Sequence, residues 1–151
     1  MTACNDRGLL TSFNISRVVN CTVDLPNTFE KETWCKYLRF DPIPGIRKAE
    51  KDGRGVVKPQ AVLKVWKQLF NYIDKATAAG RNVLIHSLAG VHRAGMCAAA
   101  YLMHANQLDM MKAIRILQEA RPKADPFKCE ELGMALENLG FVFQKRRSGG
   151  T

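Results

Sequence analysis

"VLIHSLAGVHRAGM", residues 83–96, decides how this chain reads. An apolar, strand-like run ends in a His-Ser pair, a turn of mostly small residues follows, and Arg93 opens an alanine-rich segment of helical character. Gly90 supplies a positive φ that other residues resist, so the backbone N–H groups of Leu88, Ala89, Gly90, Val91, His92 and Arg93 are able to aim at one point. With the positive end of the following helix they form a concavity shaped for an oxyanion, to which Arg93 adds a planar, two-pronged donor. The ligand this geometry suits is a phosphate, or a sulfate in its place.

Competing readings of the stretch fail on residues. A nucleotide-binding loop needs G-x-x-x-x-G-K-[ST], and no Lys-Ser/Thr pair follows Gly90. A serine-hydrolase elbow around Ser87 needs glycine where Ile85 and Ala89 stand. A turn with no ligand leaves Arg93 unexplained, since a cation at the electropositive start of a helix is unfavourable unless an anion answers it.

Outward from the loop, strands alternate with helices. Residues 15–23 and 35–40 read as strands, and 82–86 as the central one. From Pro59 to Ala79 the residues Val62, Val65, Trp66, Leu69, Phe70 and Ile73 fall on one helical stripe. Helices are also expected over 93–105, from an Asp109 cap to Ala120, and from near Pro126 with Leu132, Leu136, Leu139 and Phe143 facing inward. The order describes an α/β fold with the sheet in the middle.

The 151 residues, 46% hydrophobic, suffice for one core, and no apolar run is long enough to cross a bilayer. The N-terminus lacks a signal peptide's order and the C-terminus a lipidation box. Five cysteines, an odd number without C-x-x-C spacing, suit buried thiols in a reducing compartment, so the expected location is the cytoplasm, with the nucleus open. A net charge of +9 favours an anionic partner, and Arg47, Lys48, Lys51, Arg54 and Lys58 crowd one expected loop that could rim the site. Nucleic acid is not expected, because no aromatics interleave with those cations. No cofactor is expected, and the three histidines, His86, His92 and His104, complete no metal-ligand spacing.

Taken together, the loop resembles the signature of the cysteine-based protein tyrosine phosphatases, His-Cys followed by five residues and Arg, with Ser87 in the cysteine position. "ISRVVNCTVDLPN", "YLRF", the long helix before 82–86, "AYLMHANQLDMMKAIRILQEARP" and the "PF" of the last helix are similar, in that order, to the dual-specificity subclass. The resemblance implies a three-layer fold: a central mixed sheet flanked by helices, with the phosphate loop between the central strand and a helix. It implies a catalytic domain over 1–147 with a flexible tail at 148–151, and a first edge strand preceding "MTACNDRG", as though the chain were trimmed at its start.

The resemblance also assigns roles. The family's cysteine attacks phosphorus as a thiolate, Arg93 and the loop amides hold the phosphoryl oxygens, and an aspartic acid protonates the leaving oxygen. His86 braces the loop from behind, and Ala94 replaces a Ser or Thr whose hydroxyl helps the cysteine leave. The acid is Asp52, whose spacing from Ser87 is closer to the family habit, or Asp41. A hydroxyl at 87 is a poor nucleophile without a base beside it. The expectation is a domain that binds phosphorylated protein or peptide without turning it over, with phosphotyrosine and phosphoserine/threonine as natural ligands. Kept Gly90 and Arg93 favour a serine introduced by engineering over a natural pseudophosphatase that binds phosphoproteins; a phosphoinositide ligand is the further alternative.

Overall fold

The computed structural model describes residues 3–149. Its sheet holds three parallel strands, β1 (Ile15–Asn20), β2 (Lys36–Arg39) and β3 (Asn82–His86), in the order β2-β1-β3. Val18 lies in register with Tyr37 on one side and Leu84 on the other. In this middle strand Val18 and Val19 point to opposite faces and are both fully buried, which accounts for an apolar run in place of an alternating one.

Two expectations are corrected. The sheet is parallel, not mixed, because each strand is reached by a crossover that returns the chain to the same end, and no hairpin joins two of its strands. The strand 82–86 is also an edge and not the centre: among the described residues only β1 pairs with it. Its apolar character comes from helices packed against it.

The four longer helices fall where the sequence placed them. α1 (Arg7–Ser12) and α2 (Ile43–Arg47) are short, and α3 (Pro59–Ala78) carries its buried Val62, Trp66, Leu69, Phe70 and Ile73 inward. α4 (Arg93–Asn106) follows the loop, and its buried Gly95, Ala99 and Ala100 allow close approach of its neighbours. α5 (Met110–Ala120) starts where the Asp109 carboxylate accepts the Lys112 N–H at 2.9 Å, and α6 (Glu130–Ser148) follows a 3-10 turn at Pro126–Lys128. α6 buries Leu132, Leu136 and Leu139, and half-buried Phe143 lies 6.3 Å from Phe70, ring centre to ring centre. It runs one residue into the expected tail, Gly149 caps it, and the rest of that tail lies outside the described residues.

Neither α1 nor α2 was foreseen. α1 buries one side chain, Leu10, too few for a periodic signal, and its start depends on the Asp6 carboxylate accepting the Leu9 N–H. α2 hides among prolines, whose fixed φ suits a first helical turn.

The core, centred on Trp66, Leu69, Met96, Met103, Leu136 and Leu139, joins α3, α4 and α6 beneath β1. Trp66 is fully buried, yet its indole N–H has no acceptor. In chemical denaturation Leu69→Ala is therefore expected to cost about 2–5 kcal/mol. Trp66→Phe is expected to cost less, since the lost volume is offset by removal of an unsatisfied donor that itself costs about 1–3 kcal/mol.

Candidate functional site

Parallel strands bring all their carboxyl ends to one edge, where open α/β sheets place ligands. Three links consolidate that edge. The Cys21 N–H donates to the His86 carbonyl at 2.8 Å and the Phe40 N–H to the Asn20 carbonyl at 3.0 Å, joining the three strand exits. Buried Asn20 donates through Nδ2 to the Leu25 carbonyl and Asn27 Oδ1, and its Oδ1 accepts from the Thr22 N–H and hydroxyl. Arg39 then donates to the carbonyls of Thr22 (2.6 Å) and Leu25 (2.9 Å), fixing the turn that borders the site. These polar residues inside and beside apolar strands were not foreseen.

From His86 the chain crosses to α4 with Gly90 at φ +63. The carbonyls along this crossing are bonded away from its hollow: Ala89 and Gly90 accept from the Arg121 guanidinium (3.1 and 2.9 Å), Val91 from the Asp125 N–H (3.1 Å), and His92 from the Met96 N–H (2.8 Å). In a planar trans peptide the N–H points opposite to the preceding carbonyl. The N–H groups of Gly90, Val91, His92 and Arg93 therefore each point away from a carbonyl that the protein holds, and among the described residues no N–H from Leu88 through Arg93 has an acceptor. These residues are exposed or half-buried, and N–H groups left free by their own chain at a helix start are available to make a nest for an anion.

Arg93 is exposed at the first position of α4 and its guanidinium meets no carboxylate or carbonyl among the described residues. It is free to close on the same anion. Half-buried Ser87 lies at the base of the loop, and among the described residues its hydroxyl has no hydrogen-bond partner. Leu88 at the start of the loop is 81% exposed.

Among the described residues neither ring nitrogen of buried His86 has a hydrogen-bond partner, and its carbonyl ties the loop to β1. Burial first, then the Arg39 charge, holds its pKa below the ordinary histidine value, so the ring is neutral at pH 7. The bracing falls to the connection after α5, through Arg121 and Asp125, neither of which the sequence singled out for it. The same connection packs on α4 at Gly95, where an added Cβ would make ordinary contact with the Ala124 methyl carbon at 3.6 Å.

The two aspartates part company. Asp52 sits in a hairpin bridged at Lys51 and Val57, where its Oδ1 accepts the Arg54 and Val56 N–H groups at 2.8 and 3.0 Å. Those bonds, Val56 first, hold its carboxyl below the ordinary value. A depressed carboxyl steadies the turn above its unfolded pKa and loses that effect as pH falls through the folded value. The Arg54 and Val56 amide resonances are accordingly expected to titrate with a midpoint below 3.8. Asp41, by contrast, stands at the end of β2 on the site's edge, its Oδ1 accepting the Ile43 N–H at 3.0 Å.

Much of the basic segment is neutralised internally. Arg47 pairs with Glu131, Arg54 with Asp52 and Lys58 with Glu50, leaving Lys48 and Lys51 without ion pairs among the described residues.

Gly90 is doubly required. Its φ disfavours any side chain by about 1–2 kcal/mol, and an added Cβ would lie 3.0 Å from Arg121 Nη2. Gly90→Ala is expected to lower stability by about 1–2 kcal/mol in thermal or chemical melts, the strain of the left-handed conformation alone setting that scale. It is also expected to weaken anion binding, as measured by calorimetry.

Residues 3–128 match the family model described as dual specificity phosphatase, catalytic domain. The Drosophila melanogaster dual specificity protein phosphatase Mpk3 is 33% identical over 121 residues, 80% of this chain and 26% of the fly protein, so the chain spans about a quarter of that relative's length. Crystal structures of human DUSP28 (TM-score 0.72, 20% identity, 94% of this chain and 85% of that one) and of a mouse putative dual specificity phosphatase complexed with zinc tungstate (TM-score 0.72, 21% identity, 96% and 81%) share the fold.

Proposed function

The chain belongs to the family of dual specificity phosphatase catalytic domains, and on that footing we propose that it binds phosphorylated protein side chains in the 87–93 loop and leaves their ester bonds intact. One observation carries this reading: the carbonyls of residues 89–92 are each bonded to the protein, and among the described residues the N–H groups of Leu88 through Arg93 have no acceptor. Such a nest matches the oxygens of a phosphate dianion, and Arg93 supplies a bidentate, charge-assisted clamp. The mouse structure with tungstate, another tetrahedral oxyanion, supports the same use of the fold.

Ser87 occupies the position at which the family carries its nucleophilic cysteine. Its hydroxyl has no base to remove its proton, so attack on phosphorus is negligible at neutral pH. Binding is not impaired by the same change, because a thiolate repels a phosphate dianion and a neutral hydroxyl does not. The family reading extends the ligand to phosphoserine and phosphothreonine as well as phosphotyrosine. The internal pairing of Arg47, Arg54 and Lys58 favours a singly phosphorylated side chain over a polyanionic lipid headgroup. Were the nucleophile restored, we assign protonation of the leaving oxygen to Asp41, which follows β2 at the strand-exit edge, over Asp52, whose Oδ1 accepts two N–H groups of its own turn where that of Asp41 accepts one.

Titration calorimetry with a phosphopeptide and its unphosphorylated twin tests the proposal, with free phosphate assayed on the same samples. The expected result is binding of the phosphopeptide alone and no phosphate release above background. Equal binding of both peptides, or turnover, would refute it.

A further inference from the structure

We infer that Arg121 is a positioning residue for the phosphate nest: by holding the Ala89 and Gly90 carbonyls, its guanidinium turns the Gly90 and Val91 N–H groups onto the ligand. It never touches the anion itself. The inference rests on the reading of the 87–93 loop as a phosphate site, and it identifies which part of the protein keeps that loop in its binding shape.

Arg121 is well fixed at its backbone. Its N–H donates to the Leu117 carbonyl at 2.8 Å, its carbonyl accepts the Ala124 N–H at 2.9 Å, and Pro122 stops α5 there. From this anchor the fork reaches two successive carbonyls, Nε to Gly90 at 2.9 Å and Nη2 to Ala89 at 3.1 Å. Successive carbonyls on one side require their partner N–H groups on the other, an arrangement with αL backbone at Gly90 that solvent alone does not favour. Contact with a cation also polarises both peptide groups, which makes the Gly90 and Val91 N–H groups stronger donors to an anion. A fork is needed, because an ammonium is a point charge that does not hold two carbonyls in fixed geometry. Among the described residues Arg121 has no carboxylate partner, so the two carbonyls do not compete with an ion pair.

The test compares the parent with Arg121→Met and Arg121→Lys in two measurements. Affinity for inorganic phosphate is read by calorimetry, and microsecond-to-millisecond exchange of the loop amides is read by ¹⁵N relaxation dispersion without ligand. Arg121→Met is expected to bind phosphate about tenfold more weakly and Arg121→Lys about threefold, as fits the loss of two and of one hydrogen bond. Exchange is expected to appear at Gly90 and Val91 in the Met variant while the α3–α6 core stays rigid, and added guanidinium ion should reverse both effects. Arg121→Met with the parent's affinity and quiet Gly90 and Val91 amides would overturn the inference. Should Arg121→Met fail to fold, parent-like affinity and rigidity in Arg121→Lys, with no response to guanidinium, would overturn it equally. A parent that ignores phosphate would sink the functional proposal instead, and the exchange data alone would then decide the role of Arg121.

Discussion

Ser87→Cys is expected to raise hydrolysis of an aryl phosphate at least about a thousandfold over the parent, because it supplies an ionisable nucleophile to the proposed phosphate loop. Thiols beside helix starts and free amides ionise at pKa values of about 3.5–7.5, whereas a serine hydroxyl remains protonated throughout the physiological range. The six N–H groups without acceptors and the free Arg93 supply that environment now. The time course should carry a second signature. Ala94, buried and only 6% exposed, offers no hydroxyl to a departing thiolate, so phosphoenzyme should accumulate as a burst followed by slow turnover. Ser87→Cys with Ala94→Ser should shorten the slow phase. On the Ser87→Cys background, Asp41→Asn should remove the alkaline limb of the pH-rate profile and Asp52→Asn should leave it in place. No gain in rate from cysteine would mean that the loop binds phosphate but lacks the alignment for in-line attack.

The second large effect concerns Arg93. Arg93→Met should weaken phosphate binding at least about a hundredfold, in line with loss of a bidentate, charge-assisted partner. It should not weaken the fold. The guanidinium opens α4 without a partner, where a positive charge opposes the helix dipole, so its removal is expected to leave stability unchanged or raise it by about 0.3–1 kcal/mol. Opposite signs in affinity and stability separate a functional arginine from a structural one, and calorimetry with thermal melts reads both. Retained affinity would assign the anion to the amides alone.

What the sequence disclosed and what it hid follow a physical line. Local constraints were legible: Gly90, the helix starting at Arg93, the Asp109 cap and the α3 stripe all act within a few residues of one another. Distant pairings were not. Arg121 is 31 residues from the Gly90 carbonyl it holds, and "RP" at that point signals only the end of a helix. Arg47 looked free to steer ligands, yet it meets Glu131, 84 residues away. The position of β3 was misjudged for a related reason, since burial by helices and burial by neighbouring strands leave the same apolar run in a short strand. Asp52 carries a local signal too: Asp-Gly is a turn signal in its own right, and the carboxylate accepts two N–H groups of that turn. His86, expected as a brace, leaves its ring without a partner because the strand exit is held through its backbone.

The central claim is that six backbone N–H groups converge with a guanidinium on one tetrahedral anion. Titration of ¹⁵N-labelled protein with inorganic phosphate follows each of those amides directly. If the claim holds, Leu88 through Arg93 move together along a single binding curve, with Gly90 and Val91 shifted furthest downfield, while Lys48 and Lys51 barely respond. Loop resonances that stay still while the 45–58 segment or the tail shifts would contradict it, and would reduce phosphate binding to attraction by surface charge.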